Sequence, residues 1–211
     1  RQRQMCIRDR RYAKVKLSDA LSNEVFPKLY LLELLYYNRS RQQQKGESIV
    51  SEIEKAIATY KSRIHKDDLL LIYINVCLFY FSVAHYKMAL EWLHLLLNTN
   101  IPNKNDNIFY CNGILWQILI HYELEHYDLL ENLLRAAFRF YNKKKEKYHF
   151  EISVLQFIKS SLGFVSQKQE KNAFRELQKT LSEQMTLHEN EYDVFLDIKQ
   201  ETLFWIKRKL E

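Results

Sequence analysis

Two related segments constrain the fold of this chain more than any other feature. They cover residues 80–93 and 120–130, and Tyr127 in the second follows Tyr86 in the first by 41 positions. Each segment predicts the end of one helix, a tight turn, and a second helix that folds back on the first. Recurrence at such a period is typical of stacked helical hairpins. Architectures of this kind present a surface to a partner more often than a catalytic pocket.

The composition favours an all-α fold. The 211 residues include only 3 Gly and 2 Pro, although 47% of the chain is hydrophobic. Average usage is about 7% Gly and about 5% Pro. Because turns between strands consume these two residues, their scarcity favours helices joined by short polar links. Apolar residues also recur at spacings of three and four, and no stretch alternates as a strand would.

The same periodicity predicts about nine helices, the first of which is bent or restarted near Pro27. A polar segment, 39–46, is expected to link the first two helices, and a charged run, 143–147, to link two later ones. The predicted helices span residues 14–38, 47–64, 67–83, 86–98, 107–123, 127–142, 148–164, 168–186 and 191–210.

Residues 1–10 resemble the translated end of a sequencing adaptor, since they show no periodicity and hold four Arg. They are predicted to be a non-native tail. Residues 11–211 are then expected to form a single helical repeat domain, the C-terminal part of a larger protein. Without the tail, 28 basic and 25 acidic side chains remain, about half of the formal charge of +6. We therefore expect no nucleic acid to contact this part of the chain.

No motif in the sequence predicts an enzyme. Seven His residues are scattered and three Gly residues are isolated, which is neither a metal-ligand pattern nor a phosphate-binding loop. His121 and His126 are five positions apart, which predicts different helix faces, and a turn is expected between them. Cys77 and Cys111 lie in apolar runs, where core positions in a reducing compartment are expected. We expect no catalytic residue, no metal and no cofactor.

Contact with a membrane is not expected. The longest uncharged runs contain Tyr, Asn and Ser and stop short of the roughly 20 apolar residues that a membrane span needs. Residues 195–210 combine aromatic and basic side chains, as an interfacial anchor does, but their acidic residues favour a helix that caps the stack. A cytoplasmic protein is predicted.

The first of the two recurring segments resembles the tetratricopeptide repeat, a helical hairpin of about 34 residues. Tyr73 and Tyr80 stand at its large first-helix positions, Tyr86 at the turn, and Ala89 at the small position where the helices cross. Tyr127 repeats the turn position. The resemblance implies a right-handed stack of antiparallel helical hairpins, an α-solenoid. The composition is also similar to that of helical repeat proteins from Bacteroidota.

In tetratricopeptide-repeat proteins, the first helix of each hairpin lines a concave groove that holds a partner. The corresponding positions here are apolar and include no Lys clamp for a partner's carboxylate. Such a groove would either bind a hydrophobic segment of a partner or be filled by the chain's own helices, and the sequence leaves both open. These predicted groove residues are Leu71, Ile74, Leu78, Phe81, Leu115, Leu119 and Tyr122.

The resemblance implies a non-enzymatic scaffold for protein–protein contact. Its expected partner is a protein or a peptide, and a second copy of the chain is one such partner. The alternative is the sensor or dimerisation half of a transcriptional regulator, whose DNA-binding domain would lie in upstream sequence.

Overall fold

The structure is a computed structural model that describes residues 19–40, 42–186 and 196–211, with side chains described for residues 28–40, 42–143, 147–185 and 199–211. These residues form nine α-helices and two short 3₁₀ segments, and none of them lies in a strand. The helices are α1 (Asp19–Arg39), α2 (Gln43–Tyr60), α3 (Lys66–Ser82), α4 (Tyr86–Asn98), α5 (Ile108–Glu123), α6 (Tyr127–Tyr141), α7 (His149–Ser161), α8 (Gln167–Thr186) and α9 (Leu196–Leu210).

The all-α prediction is confirmed for this part of the chain, and most predicted helix ends lie within a few residues of the observed ones. The helix α1 continues through Pro27 without interruption. The predicted tail, 1–10, lies outside the described residues. Within them, no helix combines the length and the apolar character that crossing a bilayer requires.

The linker predicted for residues 39–46 was wrong over its second half, because α2 begins at Gln43. The reason is the packing of Gly46, which is buried. The ring of Phe79 occupies the place that a side chain at position 46 would fill. Glycine here therefore leaves room for the Phe79 ring of α3 against the backbone of α2, although its sequence context resembles that of a loop.

The chain divides into two compact units between Phe109 and Tyr110, where the sequence predicts one domain over residues 11–211. Unit 1 contains α1 to α4, and unit 2 contains α6 to α9 together with all but the first two residues of α5.

The helix α3 is central to unit 1. It packs against α1 and α4, and α1 also packs against α2. Between residues 69 and 82, every residue is buried except Leu71, which is half-buried. The hydroxyl of Ser82 donates to Oδ1 of Asn38 at 2.7 Å, which fastens α1 to α3. A helix covered on nearly every side needs apolar residues all round, and α3 accordingly lacks the polar stripe of a surface helix.

Ala89 tests this packing, because it is fully buried in α4, the helix that packs against α3. We expect Ala89→Leu to lower the free energy of unfolding by about 1–3 kcal/mol, since the added methylenes overpack the contact. Urea denaturation measures the change. Ala136→Leu, at an exposed position of α6, is the matched control and should change stability little. An unchanged unfolding midpoint for Ala89→Leu would contradict the hairpin packing.

In unit 2, α8 packs against both α7 and α9, and α6 packs against α7. Its core contains an aromatic cluster around Trp205 of α9. The Trp205 ring lies 5.4 Å from Phe174, 6.0 Å from Tyr122 and 6.4 Å from Phe157, centroid to centroid. The three rings come from α8, α5 and α7, so that one side chain of the last helix joins three other helices of the unit.

The α3–α4 and α5–α6 turns share one backbone geometry. Each contains a single non-glycine residue in the left-handed region, Ala84 with φ 60° and Glu125 with φ 57°. The paired hydrogen bonds of a Schellman motif close both turns. From amide N to carbonyl O they are His85–Tyr80 at 2.9 Å, Ala84–Phe81 at 3.1 Å, His126–His121 at 3.0 Å and Glu125–Tyr122 at 3.1 Å. The recurrence at 41 positions therefore extends from the sequence to the backbone.

Both left-handed residues are exposed, and a residue with a Cβ pays about 1–2 kcal/mol for this conformation. We expect Ala84→Gly to raise the free energy of unfolding by up to about 1 kcal/mol, because glycine adopts positive φ without that cost. The control is Ala136→Gly inside α6, which should lower it by about 1 kcal/mol. Thermal unfolding followed by circular dichroism checks both, and a loss of stability in both variants would refute the turn geometry.

Candidate protein-binding surface

The structure buries most of the residues predicted to line a concave groove. In unit 1, Ile74, Leu78 and Phe81 are each at most 3% exposed, and in unit 2 Leu115 and Leu119 are at most 1% exposed. The remaining two, Leu71 and Tyr122, are half-buried. The five buried side chains offer no surface to a partner in this conformation, and their burial agrees with the alternative in which the chain's own helices fill the groove.

An open groove lies elsewhere, on the surface of unit 1 between α2 and α4. It encloses about 400 Å³. Its floor is formed by Tyr73 and Trp92, which are almost fully buried and whose rings lie 5.9 Å apart. Its walls include Leu95, a leucine that is 45% exposed. We call this the α2–α4 groove, and its lining residues are Glu54, Ile57, Ala58, Lys61, Tyr73, Glu91, Trp92 and Leu95.

Charge is distributed unevenly along the α2–α4 groove. Glu54 and Glu91 stand on opposite walls, and Lys61 lies just past the end of α2. Burial raises the pKa of the Tyr80 hydroxyl, and nearby carboxylates raise it further; these belong to Glu54, Glu47 and Glu91. The carboxylates of both walls therefore act on the same tyrosine, which lies seven positions after the floor residue Tyr73 in α3. Among the described residues, none of the three charged lining groups forms an ion pair within the chain.

A second concavity, in unit 2, is more polar. It measures about 680 Å³ and lies between the α5–α6 turn and the α7–α8 turn. Two tyrosines, Tyr122 and Tyr127, line it together with three carboxylates and no basic residue. The hydroxyl of Tyr122 donates to Oε1 of Glu170 at 3.3 Å. Burial raises the pKa of both tyrosines, and Glu170 is among the carboxylates that raise it further. The site disfavours anions such as phosphate.

The α5–α6 turn brings together two histidines that the sequence places on different helix faces. The Nδ1 atoms of His121 and His126 are 2.9 Å apart, and one ring donates to the other. The turn predicted between them is confirmed, and the left-handed Glu125 reverses the chain there, which brings the two rings together. In the part of the chain that the structure describes, no group of three or more His, Cys, Asp or Glu residues could hold a metal ion.

The two cysteines of the described chain occupy core positions. Cys77 and Cys111 are both buried. Burial raises the pKa of the Cys77 thiol, which disfavours the reactive thiolate. The hydroxyl of Tyr148 donates to the Cys111 sulfur at 3.3 Å. Neither environment is the exposed, electropositive one that activates a cysteine nucleophile.

Comparison with known proteins identifies no relative. No family model matches the chain, and neither a curated protein nor a solved structure is detectably similar to it. The resemblance to tetratricopeptide repeats and to Bacteroidota repeat proteins therefore stays a prediction.

Proposed function

We propose that this chain is a non-enzymatic scaffold that binds a protein or peptide partner through the surface of its helical hairpins. The observation that supports this is the α2–α4 groove. It combines an aromatic floor, an exposed leucine and charged groups that have no ion-pair partner among the described residues. Grooves between helices that offer apolar contact and flanking charge suit a partner's side chains.

The architecture we propose is a tetratricopeptide-like α-solenoid, a right-handed stack of helical hairpins in a cytoplasmic protein. Two observations support it. The first helices of successive hairpins, α1 and α3, pack against each other in unit 1. The Schellman turns recur at 41 positions with matching hydrogen bonds. Repeated hairpins whose like helices stack are the basis of solenoid folds.

The lining of the α2–α4 groove also argues for binding rather than catalysis. Its side chains with hydrogen-bonding groups are two glutamates, one lysine and the nearly buried Tyr73 and Trp92. Covalent catalysis needs a nucleophile held within hydrogen-bond reach of an activating base. Apolar contact area and unpaired charge, by contrast, are what peptide recognition uses.

Site-specific photo-crosslinking tests the proposal. A photoreactive amino acid replaces Leu95 in the full chain, and the same replacement at Leu129 of unit 2, which is 44% exposed, serves as the control. We expect the Leu95 position to crosslink a discrete protein in lysate of the source cells, and the purified partner to bind the unmodified chain. Binding of that partner should fall by about tenfold in Leu95→Asp. Identical crosslinking from both positions, or an undiminished affinity in Leu95→Asp, would contradict the proposal.

A further inference from the structure

We propose that the α2–α4 groove binds one amphipathic helix of a partner protein, with a basic side chain at the Glu54–Glu91 end and an acidic side chain at the Lys61 end. The inference rests on the proposed scaffold function and adds the chemistry and the direction of the bound segment.

The apolar part of the groove sets the size of the occupant's anchor. Tyr73 and Trp92 close the floor, and Leu95 rises from the wall with nearly half of its surface exposed. The volume of about 400 Å³ accommodates a small number of apolar side chains. Side chains at positions three and four apart on a helix share one face. A pair of apolar residues at such positions therefore fits the floor, and the rest of the bound helix remains in solvent.

The charges at the two ends set the complementary charges of the occupant. Glu54 and Glu91 lie on opposite walls, and together they favour a basic group of the occupant. Burial is the main cause of the raised pKa of Tyr80, and both carboxylates raise it further, so they lie near the same tyrosine of α3. Lys61 follows Glu54 by seven positions. Seven helical residues rise about 10 Å. The partner's basic and acidic residues should therefore lie about 10 Å apart, which places them about seven positions apart on a helix.

The helix dipole selects the direction. A helix is stabilised by an acidic side chain near its N-terminus and a basic one near its C-terminus. Such a helix places opposite charges together only when its N-terminal acidic group lies near Lys61 and its C-terminal basic group lies near Glu54 and Glu91. Since Glu54 precedes Lys61 along α2, the bound helix runs antiparallel to α2.

Two synthetic peptides test the proposal. Both are Ala-rich and helix-forming, and both carry two Leu residues, one helical turn apart, between the two positions at which the peptides differ. The matching peptide carries Glu first and Lys about seven residues later, and the neutral peptide carries Gln at both of these positions. Fluorescence anisotropy of labelled peptide with the full chain at low salt measures affinity. We expect the matching peptide to bind about tenfold more tightly, from two ion pairs in a partly desolvated groove.

Variants of the full chain make the test specific to the groove. Leu95→Asp should weaken the matching peptide by about tenfold, and Leu129→Asp, at an equally exposed leucine of unit 2, should leave its affinity unchanged. The double variant Glu54→Lys, Glu91→Lys should lose the preference for the matching peptide or reverse it. Circular dichroism confirms that each variant keeps its helicity, as expected for exposed positions.

The outcomes separate this inference from the proposed scaffold function. Equal binding of the two peptides, or a preference that survives the charge reversal, overturns the inference. If a partner still crosslinks at Leu95 in that case, the scaffold function stands with a different occupant. A dimer of the full chain that Leu95→Asp dissociates, seen by sedimentation, would assign the groove to a second copy and also overturn the inference.

Discussion

Replacing Leu78 and Phe81 together with serine is expected to unfold the chain. Both side chains are almost fully buried in α3, the central helix of unit 1. Truncating a buried Leu or Phe costs about 2–5 kcal/mol each, and a buried hydroxyl without a hydrogen-bond partner adds to the cost. The total approaches the stability of a typical domain, about 5–15 kcal/mol. Far-UV circular dichroism and thermal unfolding measure the loss.

Matched exposed positions provide the control for this double variant. Leu95→Ser and Leu32→Ser remove leucines that are 45% and 57% exposed, and each should change stability by no more than about 0.5 kcal/mol. If the Leu78 and Phe81 double variant unfolded at the wild-type temperature, the two side chains would not be core residues. The concave groove predicted from the sequence would then be open to a partner after all.

Trp205→Ala is expected to lower the free energy of unfolding by about 3–5 kcal/mol. The indole is buried among the rings of Tyr122, Phe157 and Phe174. Its Nε1 also donates to Oε1 of Glu123 at 2.7 Å. The alanine variant therefore leaves a cavity and removes a donor from a carboxylate whose side chain is only 6% exposed. Urea denaturation of the full chain measures the change.

The variant Trp205→Phe separates the two contributions. Phenylalanine keeps an aromatic ring in the cluster and removes only the Nε1 donor, for which a loss of about 1–3 kcal/mol is expected. Glu123 also forms an ion pair with Lys209 at 2.7 Å in the wild-type chain, and neither substitution removes either partner. Equal losses in Trp205→Ala and Trp205→Phe would mean that the hydrogen bond, not the packing of the ring, holds α9 in unit 2.

The helices themselves could be predicted because their signal is local. In α4, the buried residues recur at spacings of three and four, and they are Ala89, Trp92, Leu93 and Leu96. This periodicity can be recognised in the sequence without knowledge of any tertiary contact. The two tight turns were also predictable, from the recurrence of Tyr86 and Tyr127. Their left-handed residues could not be predicted, because these positions hold Ala84 and Glu125 and not the glycine that usually adopts this conformation.

The binding surface could not be predicted in the same way. Periodicity indicates which side chains are apolar, but it does not indicate which helix covers them. The α3 residues Leu78 and Phe81 were therefore candidates for a partner's groove until their burial placed them in the core. The α2–α4 groove is lined by residues of three helices that are far apart in sequence. The apolar pattern of any one helix therefore does not predict it.

The sequence by itself determined the helical class, the helix order and the recurrence of the hairpin turns, because these depend on neighbours within a few positions. Only the tertiary structure decided which faces are covered and which remain open. It buried Gly46 against Phe79 and brought His121 within hydrogen-bond distance of His126. The physical reason is that the burial and the electrostatic environment of a side chain depend on all the helices that pack around it. Some of those helices are distant in sequence, so a local pattern does not reveal them.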